Sequence, residues 1–151
     1  MRRPPKWISK QAVLALHERL LAEHGGASGI LDEGLLDAAL ASPKNHFAYE
    51  RADILRLAAA YAYALTQNHP FADGNKRVAL TVAGVFMELN GFRLEASERD
   101  AVQATRALSS REIDEVEFAT WLRTCSSKLH VPRRRAPRKG TSKRRKKPNR
   151  K

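Results

Sequence analysis

Cysteine is nearly missing from this chain. The single one, Cys125, excludes an intrachain disulfide and any metal site built from several thiolates. Long apolar runs are missing as well: the longest strictly apolar stretch, LAAAYAYAL at 57–65, is far short of a membrane span of ~18 residues. Apolar–polar alternation with a period of two is scarce, which leaves little room for β-structure. The basic start MRRPPKW leads into an amphipathic stretch, so no secretory signal is expected. Acidic residues are absent from one end, where residues 131–151 (VPRRRAPRKGTSKRRKKPNRK) hold 12 basic side chains and no acidic one. The 151 residues together have 28 Lys+Arg against 16 Asp+Glu, so residues 1–130 carry 16 of each sign and are neutral. The expectation is one folded domain at 1–130, large enough to bury a core without staples, in a soluble cytoplasmic protein with no membrane partner. The remainder, 131–151, has three prolines and dense like charge, and is expected to be a disordered basic tail.

The body reads as helix. Val13, Leu16, Leu20 and Leu21 recur on one face between Lys10 and His24, with Ser9 to cap the start and Gly25-Gly26 to end the run. Asp32 is placed to cap a second helix at 33–40, which Ser42-Pro43 is expected to close, leaving 43–51 as a loop or flap. Two further segments, 52–67 and 75–90, are apolar nearly all round and alanine-rich, which marks buried helices; Asn90-Gly91 stops the second. Ser97-x-x-Asp100 and Ser109-x-x-Glu112 are capping-box patterns for helices at about 98–108 and 110–127, and FRLE at 92–95 allows a short strand. The fold class is all-α.

Between the two buried helices lies HPFADGNKR, residues 69–77. Pro70 ends the incoming helix, Asp73-Gly74 makes a turn, and Asn75 opens the outgoing one. Backbone N–H groups at a helix N-terminus favour an anion, and Gly74 permits the close approach such a nest requires. Lys76 and Arg77 put two cations in a first helical turn, where the dipole disfavours them unless an anion is bound. Asp73 is a hard oxygen ligand suited to Mg²⁺ beside phosphates. His69 suits a general base acting on a hydroxyl. Phe71, the apolar residue of the loop, is expected to anchor it to the core. A metal pair of His69 and Asp73 is disfavoured because Pro70 and Gly74 break the helix that would align them.

HPFADGNKR resembles the motif of the Fic/Doc (Fido) superfamily, H-x-F-x-[DE]-[AG]-N-[GK]-R. WIS near the start, HGGASGILDEGLLDAAL, LAAAYAYAL and FMELNGFRL resemble its death-on-curing (Doc) branch, so that the likeness spans about 7–126. The resemblance implies a helical bundle with the motif at the N-terminus of a buried central helix. It implies His69 as the base, Asp73 as the Mg²⁺ ligand, Gly74 and Asn75 as the phosphate cradle, and Lys76 and Arg77 as phosphate-neutralising catalytic residues. AMP-transferring members have Gly at the position of Lys76 and a second Arg at that of Leu80. Both departures are those of the Doc branch, whose members are toxins of type II toxin–antitoxin systems and act as kinases. The resemblance therefore implies ATP and Mg²⁺ as cofactors and transfer of the γ-phosphate to a threonine of elongation factor Tu or a similar translation factor. Pro70 is the spelling common among AMP-transferring members, which keeps AMP transfer as the alternative. No [ST]-x-x-x-E-[GN] inhibitory helix occurs in the sequence, so restraint is expected from a separate antitoxin of the Phd type.

Other residues read more plainly. His17 and His24 share a face of the first helix and are expected to be core or boundary histidines. Arg19 and His24 match a ribonuclease spacing, R-x4-H, but lie roughly 140° apart round a helix and would not face one site. Trp7, Tyr61, Phe118 and Trp121 are expected in the core, and Cys125 as a small buried hydrophobe. The tail reads either as a solvated extension that aids solubility or as a tether. A tether would hold an acidic antitoxin or contact nucleic acid or ribosomes through phosphates, without sequence preference since no aromatic residue interleaves it. That leaves a non-catalytic nucleic-acid-binding protein as the reading from another class.

Overall fold

Alanine sets the centre of the structure. In α3 (Ile54–Asn68), Ala58, Ala59, Ala60 and Ala62 are wholly buried beside Leu57, Tyr61 and Leu65. Side chains this small let other helices come close on several sides. α2 (Glu33–Glu50), α4 (Asn75–Leu89), α5 (Glu98–Ser109) and α6 (Glu115–Thr124) all pack on α3, and α1 (Lys10–His24) packs on α4. The computed structural model describes residues 3–129, and the expected tail at 131–151 lies outside the described residues. The expected all-α class holds: among the described residues the named strands form one antiparallel ribbon of β1 (Phe92–Leu94) and β2 (Ser126–Lys128), with Phe92 opposite Lys128. No helix among the described residues is long and apolar enough to cross a membrane.

The helix starts follow the chemistry of their caps. Ser9, Asp32 and Ser97 each accept the backbone N–H three residues on, as expected, and Asp53 does the same for α3. Asn90 and Gly91 end α4, and the Asn90 side chain also ties down the N-terminal segment. Its Oδ1 accepts from the Lys6 N–H at 2.8 Å while its Nδ2 donates to the Lys6 carbonyl at 3.0 Å. Trp7 is thereby held over Phe86, with ring centroids 6.0 Å apart, and the Tyr61 hydroxyl accepts from the Ile8 N–H.

Two helices have bounds that differ from those expected. α2 does not close at Pro43 but runs to Glu50, so 43–50 is helix rather than loop. Proline inside a helix costs ~3 kcal/mol, which packing here offsets: Pro43 is buried, Phe47 meets Trp7 edge-on, and His46 reaches Glu115 of α6 at 3.1 Å. The last helix starts at Glu115, not at 110. Ser110 to Ile113 form a turn in which Arg111 is left-handed (φ 68°) and the Glu112 N–H returns to the Ala107 carbonyl. The capping box that opens α6 is Asp114 with Glu117, and Cys125 ends it, so that 126–128 pairs with β1 as a strand.

Candidate active site

The loop from His69 to Gly74 joins α3 to α4, as the sequence implied. His69 terminates α3 in a left-handed conformation (φ 50°, ψ 54°), which turns its side chain out of the helix and leaves the residue exposed. Phe71 is 1% exposed and anchors the loop as expected. Its ring lies flat on that of His17, centroids 3.8 Å apart and planes 13° from parallel. His17, from α1, is buried and donates through Nε2 to the Asp73 carbonyl at 2.8 Å. It is thus a satisfied core histidine that also braces the loop; His24 lies exposed at the end of α1.

A second strip of backbone flanks the motif. Ile30 and Phe71 form an antiparallel bridge, the Leu31 N–H donates to the Pro70 carbonyl at 2.7 Å, and the Ala72 N–H to the Gly29 carbonyl at 3.0 Å. Asp73 is fixed from the same side, its Oδ2 accepting from the Ala27 N–H at 3.3 Å and its Oδ1 from the Gly74 N–H at 2.8 Å. Gly26 is required here. Its φ is +123°, and a Cβ on it would stand 2.8 Å from Asp73 Oδ2.

Asn75 holds the loop together from within. Buried to 4% exposure, it accepts the Phe71 N–H through Oδ1, and through Nδ2 it donates to the Phe71 carbonyl and to His69 Nδ1, all at 3.0 Å. Both sides of the Phe71 peptide therefore fix which way the amide points. Because Nδ2 only donates, His69 Nδ1 is an acceptor, and the neutral imidazole carries its proton on Nε2. The side chain of Asn75 is fully occupied inside the loop, so what it can offer an anion is its backbone N–H.

Five of the six described helices are capped by a side chain, and α4 is the one that is not. Its N-cap is Gly74, left-handed at φ 79°, so the first N–H donors of α4 face outward without a capping oxygen. These donors border an open cleft of about 350 Å³ lined by His69, Asp73, Lys76 and Arg77, with Leu80 on its α4 side. The motif residues given a catalytic or binding part from the sequence, His69, Asp73, Gly74, Asn75, Lys76 and Arg77, thus meet at one place. Across the cleft stands α5, which contributes Val102, Thr105 and Arg106. These three were not foreseen; their spacing of i, i+3 and i+4 marks one helical face, but only the fold shows what that face meets.

The cleft is electropositive. Lys76, Arg77 and Arg106 are exposed and, among the described residues, none has an ion-pair partner. With the positive end of a helix dipole added, an anion is the one group that relieves all of these charges together. No cluster of three or more acidic, His or Cys side chains that could hold a metal by itself is present among the described residues. Asp73 fits the other way of binding Mg²⁺, in which one carboxylate shares the ion with the ligand's phosphates and water. Its oxygens accept only N–H donors and keep lone pairs free at the cleft's rim.

Comparison with known proteins agrees with this geometry. The chain is 34% identical over 88 residues to "Protein kinase doc" of Escherichia phage P1, which covers 58% of this chain and 70% of that protein. It is 42% identical over 76 residues to "Toxin Doc" of Mycolicibacterium smegmatis, covering 48% of this chain and 57% of the relative. A sequence profile for the Fic/DOC family matches residues 7–87, from Trp7 through the motif loop to Met87 of α4, and leaves α5 and α6 outside the match. With more than half the chain matched and the motif loop seated at the head of α4, the chain belongs to the Fic/DOC family.

Proposed function

We propose that the chain is a Doc-type toxin that transfers the γ-phosphate of ATP to a serine or threonine hydroxyl of a translation factor similar to elongation factor Tu, and so blocks protein synthesis. The observation that carries this reading is the uncapped N-terminus of α4 with Lys76, Arg77, Asp73 and His69 around one cleft. Phosphoryl transfer through a loose transition state is chiefly a matter of position and charge, and this cleft offers both. The α4 N–H donors and the two motif cations hold the phosphates. Asp73 would hold Mg²⁺, which when bound neutralises the charge gathering on the phosphate oxygens.

In the reaction the substrate's hydroxyl oxygen bonds to the γ-phosphorus, the bond from that phosphorus to the bridging oxygen of ADP breaks, and the hydroxyl proton passes to His69. For that last step the imidazole must present a lone pair, so the ring has to turn away from Asn75 when substrate enters. Restraint of the toxin falls to a separate antitoxin of the Phd type. Transfer of AMP is the competing chemistry and shares the same residues.

Incubation of the chain with translation factors and ATP labelled on either the α or the γ phosphate tests the reading. Label from the γ position supports it, label from the α position replaces it with AMP transfer, and no label in either case leaves nucleic-acid binding without catalysis. The His69→Ala variant should fold as the parent does and lose both transfer and growth inhibition. Undiminished toxicity in that variant would overturn the role given to the histidine.

A further inference from the structure

Arg106 is a cation that the motif does not contain and the family match does not reach, since it lies on α5 beyond residue 87. It nevertheless lines the same cleft as Lys76 and Arg77. Its neighbours there are one turn away on each wall: Val102 on α5, and Leu80, three residues after Arg77, on α4. Val102 is 43% exposed, a large apolar side chain left facing the opening. Thr105 between them is buried and its hydroxyl is already bonded to the Ala101 carbonyl at 2.8 Å, so it has no donor left to give a ligand. The α5 wall therefore offers one polar group to whatever enters, the guanidinium of Arg106.

A structural duty for that guanidinium is not evident. It makes no ion pair among the described residues, whereas Arg56 and Arg123 each bind a carboxylate between helices. Its place in the last turn of α5 suits the negative end of the helix dipole, a weak and non-directional preference. Three unpaired cations on two walls of one opening repel each other while it is empty. A ligand with several adjacent negative charges, long enough to touch both walls, reverses the sign of that interaction. A single phosphate at the head of α4 satisfies only the α4 side.

We propose that Arg106 is a phosphate-binding residue of this cleft, which grips the polyphosphate tail of the nucleotide from α5 while Lys76 and Arg77 grip it from α4. The proposal rests on the nucleotide reading above and adds a residue and a second wall to it. Planar guanidinium donors bind phosphate through two N–H groups, so Arg106→Lys should restore only part of what Arg106→Ala removes.

The test is titration of the purified full-length chain with ATP, ADP and AMP in the presence of Mg²⁺, followed by calorimetry, with melting temperatures measured alongside. Arg106→Ala is expected to weaken ATP binding about tenfold or more, ADP less and AMP least, with the melting temperature nearly unchanged. Arg106→Lys is expected to fall between. If Arg106→Ala binds ATP as the parent does while Arg77→Ala does not, the proposal fails and the nucleotide site stands. An equal loss for ATP and AMP overturns the assignment to the phosphate tail. A lower melting temperature with unchanged affinity shows a merely structural residue. Failure of the parent chain to bind ATP at all overturns the nucleotide reading and the proposal together.

Discussion

At the scale of single residues, Asn75 decides what its neighbours can do. The family resemblance implies that it belongs, with Gly74, to a phosphate cradle. Its three side-chain bonds, to the Phe71 N–H and carbonyl and to His69, shape the loop and set the histidine's tautomer, which leaves its backbone N–H for an anion. A contact four residues back inside a turn cannot be told from an outward one by spacing alone. Asn75→Ala would leave the Phe71 N–H and C=O without partners in a buried place, and is expected to cost about 1–3 kcal/mol of stability. Urea denaturation measures this. ¹⁵N spectra of the imidazole should show, for neutral His69, a protonated Nε2 and an unprotonated Nδ1. The reverse assignment would mean that Asn75 does not donate to the ring. His17 teaches the same lesson, since its face on α1 was legible as core while the Asp73 carbonyl it holds, 56 residues away, was not.

At the scale of elements, local chemistry was legible wherever one signal stood alone. Ser9, Asp32, Ser97 and the Asn90-Gly91 stop act as their residue types demand, because a cap is satisfied within three or four residues of itself. Reading failed where two local signals competed or where distant packing overruled one. Ser109-x-x-Glu112 and Asp114-x-x-Glu117 both spell a capping box, and the left-handed turn at Arg111 leaves only the second usable. Pro43 says stop, and the contacts of Phe47 and His46 with other parts of the chain say continue. Asp53 joins two elements at once, capping α3 and pairing with Arg123 of α6 at 2.7 Å. Burial pushes its carboxyl up, but the Arg123 hydrogen bonds and the Arg56 N–H outweigh that and hold it below its ordinary 3.8. A group held low when folded stabilises the fold above its unfolded value, and the effect fades as pH falls through the folded one. Asp53→Ala is therefore expected to cost about 1–2 kcal/mol at neutral pH, mostly through the lost cap, since a half-exposed ion pair adds little. The gap between variant and parent should narrow below about pH 4 in denaturation curves. A gap that stays constant to pH 2 would show that the charge of Asp53 plays no part.

At the scale of the whole molecule, the charge is divided between two parts of the chain. The excess of 12 basic groups belongs to residues 131–151, while the neutral body of residues 1–130 keeps a few cations in one place, around the head of α4. These differ in what they can recognise. Lys76, Arg77 and Arg106 stand on helices and line one opening, an arrangement suited to selecting a ligand by the spacing of its charges. Twelve basic residues within 21 positions, with no aromatic side chain among them, select nothing beyond negative charge. Removal of residues 132–151 is thus expected to leave transfer to a free protein substrate unchanged and to weaken binding to RNA. In the parent, that binding should collapse between roughly 50 and 200 mM salt, as counterion release requires. Filter binding of RNA and labelled transfer, run on the same two proteins across that range, separate the two roles. Should the shortened protein lose transfer even at high salt, where the tail's hold on polyanions is already gone, the tail would have to act at the cleft itself. The division between a selective body and an unselective tail would then be wrong.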